Sequence, residues 1–133
     1  MRFAVDRLDH LTLNCRDPEI TASWYQRVLG MEREEFGRQL RTCLKFGGQK
    51  LNLRPVGADV ADWSTAALPL AGTADLCFVT AVGPDEVVGH LRRCGVAVEL
   101  GPVERIGALG LMISIYCRDP DGNLIEISTY LAD

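Results

Sequence analysis

One strand, one helix and three strands are spelled out twice along this 133-residue chain. Such a repeat constrains the fold more than composition does, because each copy must bury the same apolar face. In the first copy Leu8-Asp9-His10-Leu11-Thr12-Leu13-Asn14 alternates apolar and polar residues at period two and predicts a strand. Asp17 then stands as an N-cap with Pro18 in the first turn. Ile20, Trp24, Val28 and Leu29 form the helix's apolar stripe, and Gly30 ends it. Strands follow at 31–37, 40–46 and 49–55, the last two joined by the hairpin signal Gly47-Gly48.

Residues 57–72, bounded by Pro and Gly with Trp63 in the middle, read as a linker carrying a short helical turn. The pattern then restarts with a strand over Ala74–Val79 and a helix over Pro84–Cys94 ended by Gly95. Strands over Val96–Leu100, Leu111–Arg118 and Leu124–Thr129 complete it, with Asp119-Pro120-Asp121-Gly122 as the tight turn before the last. The Gly-flanked segment 103–111 reads as an elongated lid. The expected class is α+β: one domain over 1–133, with module 1 at about 5–56 and module 2 at 73–133.

Composition excludes several functions. Hydrophobic residues make up 47% of the chain, enough for a real core, and the net charge of −4 argues against a nucleic-acid partner. No apolar run approaches the roughly 18 residues that span a bilayer, and charges interrupt the N-terminus at once. A soluble, cytoplasmic protein with no membrane partner is expected. The five cysteines, odd in number and without a CxxC pair, are expected to be reduced.

Aligning the first strands of the copies pairs His10 with Asp75, and aligning the last hairpins pairs Asn52 with Glu126. If the copies are related by a pseudo-twofold, these four residues form a candidate constellation. Strand parity places Thr12 and Asn14 on the face of His10, Arg54 with Asn52, Cys77 with Asp75, and Ser128 with Glu126. A two-residue turn at Gly47-Gly48 sets Cys43 opposite Asn52 and Arg41 opposite Arg54, and puts Ser114 and Tyr116 on a neighbouring strand. This content suits a site lining better than a solvated face rich in Lys and Glu, although plain alternation is ordinary in antiparallel sheets.

Three segments resemble the vicinal oxygen chelate superfamily of glyoxalases, bleomycin-resistance proteins and dioxygenases. They are Leu8-Asp9-His10-Leu11-Thr12-Leu13, Trp24-Tyr25-Gln26-Arg27-Val28-Leu29-Gly30-Met31 and Asp119-Pro120-Asp121-Gly122-Asn123-Leu124-Ile125-Glu126. Gly101-Pro102-Val103-Glu104-Arg105, followed by Met112-Ile113-Ser114-Ile115-Tyr116, is most similar to the glyoxalase-domain-containing protein 5 branch, which includes proteins labelled virulence-associated. The resemblance implies paired βαβββ modules forming a half-barrel cavity, usually in a homodimer, around a divalent metal (Mn, Fe(II), Mg, Ni or Zn).

By the resemblance His10 and Glu126 match ligand positions, Asn52 stands where a carboxylate is usual, and Asp75 stands where a second histidine is usual. One nitrogen with three oxygens suits a harder ion than zinc or nickel. His90 lies in the second helix and is expected to be a surface or packing residue.

Two readings of function follow. In the first, the protein is a metal-dependent lyase- or isomerase-like enzyme holding a small, oxygen-rich, anionic metabolite. His10, Asn52, Asp75 and Glu126 serve the metal, with Glu126 and Tyr116 as candidate catalytic groups. Arg54, Arg41, Arg105, Ser114 and Cys77 then line the substrate. In the second, the same cluster belongs to a metal-free sequestering protein of the bleomycin-resistance type, with Trp63 or Tyr25 as stacking surfaces or, more plainly, packing residues.

Overall fold

A computed structural model describes residues 2–131. The chain divides into two compact units, residues 1–70 and 71–133. In the first, β1 (His10–Cys15), α1 (Pro18–Leu29), β2 (Glu32–Phe36), β3 (Arg41–Phe46) and β4 (Gln49–Pro55) build one four-stranded sheet of order β1-β4-β3-β2. β1 runs parallel to β4 because the chain crosses back through α1, whereas the hairpin-linked neighbours are antiparallel.

The helix forms where the sequence places its caps. The Asp17 carboxylate accepts from the Glu19 N–H at 2.9 Å, Pro18 occupies the first turn, and Gly30 adopts φ 67° at the C-terminal end. Its buried residues are Thr21, Ala22, Trp24, Tyr25 and Val28, spaced three and four apart. Ile20, expected in that stripe, is 57% exposed, so the buried face is rotated toward Thr21 and Tyr25. α1 packs on β3 and β4, over a floor containing the buried Leu13, Leu44, Leu51 and Leu53. Each such side chain contributes roughly 1.5–3 kcal/mol by leaving water.

After β4 the chain turns back, with the Trp63 N–H donating to the Asp59 carbonyl at 2.8 Å. Arg54, only 1% exposed, holds this segment. Its Nε donates to the Trp63 carbonyl at 3.0 Å, Nη2 to that of Ala58 at 2.9 Å, and Nη1 to Asn14 Oδ1 at 2.9 Å. Arg41 lies 4.1 Å over the Trp63 ring and donates to the Asp62 carbonyl at 2.6 Å.

The second unit repeats the plan with β5 (Asp75–Val79), α2 (Pro84–Arg93), β6 (Leu100–Gly107), β7 (Gly110–Arg118) and β8 (Leu124–Tyr130). Its sheet order is β5-β8-β7-β6, with β5 parallel to β8. α2 packs on β7 and β8, burying Val87 and Leu91. The turn before β8 is built on buried Asp119, whose Oδ1 accepts from the N–H groups of Asp121 and Asn123, both at 2.9 Å. Asn123 Oδ1 in turn accepts from the Ala74 N–H at 2.9 Å, tying the starts of β8 and β5 together.

Two sequence expectations need correction here. Residues 96–99 are not a strand, and the proposed lid at 103–111 is largely sheet. β6 runs from Leu100 to Gly107 and turns directly into β7, with Gly107 paired to Gly110. Pro102 lacks a donor, and a bulge between Leu100 and Val103 accommodates it. Gly101, at φ 113°, is required there, because a Cβ would collide with the Ser114 carbonyl oxygen.

None of the five cysteines forms a disulfide. Among the described residues no helix is long and apolar enough to cross a membrane.

Candidate functional site

Each sheet has one face under its helix and one face carrying polar residues. In the first unit Thr12 lies opposite Asn52 and His10 opposite Lys50, while Cys43 lies opposite Asn52 on the other side. Residues directly opposite each other share a face, so His10, Thr12, Lys50, Asn52 and Cys43 belong together. His10 is half-exposed, and its Nδ1 meets Asp9 Oδ2 at 2.8 Å. That hydrogen bond is the chief reason the Asp9 carboxyl titrates below its usual range. It also leaves Nε2 as the ring nitrogen not committed to Asp9.

Asn52 is 7% exposed, and its Oδ1 is fully buried with no hydrogen-bond partner. Such an atom forfeits about 1–3 kcal/mol unless something occupies it. Elsewhere in this unit an open groove of about 750 Å³ is lined by Glu32, Glu34, Phe36, Cys43, Lys45 and Lys50, among others, and not by Asn52 or His10.

The second unit uses the same register. Cys77 and Tyr116 flank Glu126 from either side, Asp75 sits one ladder step away opposite Leu124, and Ser114 faces Ser128. The Ser128 hydroxyl donates to Glu126 Oε2 at 3.3 Å and lies 2.7 Å from the Ser114 hydroxyl. Cys77 Sγ stands 3.3 Å from the same Ser128 oxygen. Arg105 Nε donates to the Tyr116 hydroxyl at 3.0 Å, and Tyr116 also interacts with Glu126.

Partial desolvation is the largest influence on both Tyr116 and the otherwise exposed Cys77 and pushes each up, with Glu126 adding to it. The hydrogen bonds from Arg105 to Tyr116 and between Ser128 and Cys77 act in the opposite direction. Both shifts favour the protonated forms of Tyr116 and Cys77 beside Glu126.

Of the residues singled out from sequence, Asp75, Cys77, Ser114, Tyr116, Arg105 and Glu126 share one face of the second sheet. His10 and Asn52 share one face of the first, on adjacent strands. Arg41 and Arg54 are placed differently from the expected substrate anchors. Arg54 is fully buried with its donors committed to the linker and Asn14, and Arg41 stacks on Trp63. Tyr25 is a core residue, edge-on to Trp24 at 4.9 Å. His90 is a helix residue, with Nε2 at 3.6 Å from Cys94 Sγ.

Sequence reasoning placed Ser128 on the face of Glu126 without giving it a role, and it missed Lys50. Parity with Glu126 and with Asn52 was the signal available for each.

Among the described residues no three His, Cys, Asp or Glu side chains gather to hold a metal ion. Each unit taken alone presents two donors at matched positions, His10 with Asn52 and Asp75 with Glu126. One imidazole nitrogen and oxygen donors, the amide oxygen without a partner, fit a hard divalent ion that keeps water or substrate oxygens in its shell, and fit a closed zinc site poorly.

Residues 7–127 match the model of the Glyoxalase/Bleomycin resistance protein/Dioxygenase superfamily. The virulence protein STM3117 of Salmonella typhimurium is 44% identical over 98% of this chain and 89% of its own length. Its crystal structure superposes with a TM-score of 0.92, covering 97% of this chain and all of that one. An integron cassette protein from the mobile metagenome of V. cholerae is 42% identical with a TM-score of 0.94, over 98% of this chain and all of that one.

At fold level alone, a lactoylglutathione lyase from Agrobacterium tumefaciens matches at 22% identity and TM-score 0.69, over 95% of each chain. An antibiotic binding protein from Streptomyces matches at 20% and 0.75, over 98% of this chain and all of that one. With two βαβββ units of common register and a family match across almost its whole length, the chain belongs to the glyoxalase/bleomycin resistance protein/dioxygenase superfamily.

Proposed function

We propose that this protein is a small-molecule enzyme of lyase or isomerase type, acting on a small, oxygen-rich anion in the presence of a hard divalent ion. The observation that carries the reading is the matched pair of donors in each unit, with Asn52 Oδ1 buried and unsatisfied beside His10. Within the first unit His10 and the Asn52 amide oxygen, and within the second Asp75 and Glu126, are the groups suited to hold such an ion. When bound, it would act as a Lewis acid toward substrate oxygens.

The remaining work falls to this chain's own residues. If it leaves the ion, Glu126, which accepts from the Ser128 hydroxyl, is suited to removing a proton from a bound substrate. Tyr116, oriented by Arg105, can donate to a substrate oxygen that gains charge.

Elemental analysis of protein purified without chelator tests this. The expected result is a divalent ion retained by the wild type and lost in His10→Ala and Glu126→Gln. A metal-free protein whose variants behave like wild type would contradict it.

A second reading is a metal-free small-molecule binding protein, the role that the name of the Streptomyces fold relative gives to that protein. In that case ligands raise the melting temperature without any ion.

A further inference from the structure

We propose that residues 2–8 form an arm that docks on the second unit of another copy of this chain, on the apolar patch around Ile106, so that two copies exchange arms. The inference is independent of the chemistry proposed above.

The arm continues β1 outward. It is tied to the sheet at its base, where the Asp9 carbonyl accepts from the Lys50 N–H at 3.3 Å and the Leu8 carbonyl accepts from Gln49 Nε2 at 2.9 Å. Residues 2–9 belong to neither helix nor strand, and all are exposed. Phe3 is 91% and Val5 80% exposed, and Leu8 is open to solvent as well. Phe3 and Val5 are two apart, the spacing that puts both on one face of an extended chain. Three apolar side chains of this size left in water within six residues carry a cost that their own chain does not offset.

A matching surface lies on the second unit. Ile106 on β6 is directly opposite Leu111 on β7, and the Leu131 N–H donates to the Leu111 carbonyl at 3.1 Å. The three therefore form a row across the end of the sheet. Ile106 is 84% exposed, and Leu109, Leu111 and Leu131 are exposed with it. Contiguous apolar surface of this kind marks a contact site.

The occupant is a second copy, because the chain carries both halves of the contact and their charges are opposite. The arm has Arg2 and Arg7 against Asp6. Exposed Glu104 stands two residues from Ile106, on the same face of β6, and residues 71–133 hold four Lys and Arg against nine acids. From Asp9 to Phe3 an extended chain reaches about 20 Å, enough to cross the roughly 10 Å from β6 to β8.

The area suffices. An aromatic side chain buries about 150–250 Å², so Phe3, counted on arm and receptor in both copies, supplies about 600–1,000 Å². Val5 and Leu8 bring the exchange into the range of about 1,200–2,000 Å² that a specific interface needs. Reciprocal exchange also closes the assembly at two copies.

The test is sedimentation analysis of the full chain at micromolar concentration, which is expected to show a dimer. Phe3→Asp and Ile106→Asp should each weaken dimerisation at least about a hundredfold, because one substitution removes an anchor from both arms. Both positions are exposed, so the circular dichroism spectra should match wild type. With Phe3 exchanged for benzoylphenylalanine, irradiation of mixed light and isotope-labelled chains should cross-link position 3 to residues 104–111 of the other copy. If either Asp variant fails to fold, the cross-link decides.

A monomeric wild type overturns the inference. So does a dimer that Phe3→Asp and Ile106→Asp leave unchanged, and so do cross-links confined to one copy or falling outside the patch.

Discussion

Asn52 and Glu126 occupy the same position of the repeated sheet. Each sits on the last strand of its unit, across from the third residue of the first strand, Thr12 or Cys77, and across from a third-strand residue on its other side, Cys43 or Tyr116. The amide in one copy is without a partner at Oδ1, whereas the carboxylate in the other accepts from the Ser128 hydroxyl at 3.3 Å. The two units have diverged at one geometric spot into an acceptor awaiting a donor and a carboxylate already oriented.

Arg54 is a structural cation, and its removal should be costly. Arg54→Met leaves the carbonyls of Trp63 and Ala58 and the amide of Asn14 without their donor. Urea denaturation is expected to show a loss of about 3 kcal/mol. Proteolysis within residues 56–65 should quicken. A variant as stable as wild type would return Arg54 to the list of ligand-binding residues.

The Asp119 turn holds the start of β8 and, through Asn123, that of β5. Asp119→Ala should cost about 2–3 kcal/mol in the same measurement. The exposed Asp85, in the first turn of α2, offers a control: replacing it by Ala should cost well under 1 kcal/mol.

Cys117 makes stability depend on alkaline pH. Burial pushes its thiol from the ordinary 9.0 up to about 11 in the fold, with Asp119 and Glu99 adding to the effect. Between those values the unfolded chain releases a proton that the folded chain retains. Stability is therefore undiminished below about pH 9 and falls as the pH rises toward 11, by an amount on the order of 2 kcal/mol. Melting temperature followed from pH 8 to 11 should decline less steeply in Cys117→Ala than in wild type.

Thiol accessibility gives an independent check on the two faces. Cys15, Cys43 and Cys117 are buried, whereas Cys77 is exposed and Cys94 half-buried. Alkylation of the native protein followed by mass spectrometry should label Cys77 and Cys94, and the other three only after denaturation.

Local signals made most of the fold legible. Asp17, Pro18 and Gly30 mark α1, Gly47-Gly48 closes its hairpin, and alternation set the parity that pairs Cys43 with Asn52. β6 was misread because Pro102 and the glycines at 107 and 110 look like loop. The bulge that lets a proline enter this edge strand depends on β7, which local sequence does not reveal. Arg54 and Arg41 were misplaced for a similar reason. Parity put them on the polar face correctly, but the linker that returns over them is a long-range event. Ser128 was visible on the face of Glu126, yet only the hydroxyl contact at 2.7 Å with Ser114 reveals it as a junction.

The most direct test of the central claim is the melting temperature of the full chain titrated with Mn²⁺, wild type against Glu126→Gln. An ion that binds the folded state must raise it, by about 2.7 kcal/mol of stability at a hundred times its dissociation constant. A rise that saturates in wild type and is absent in Glu126→Gln is expected. A wild-type melting temperature that does not move would contradict it.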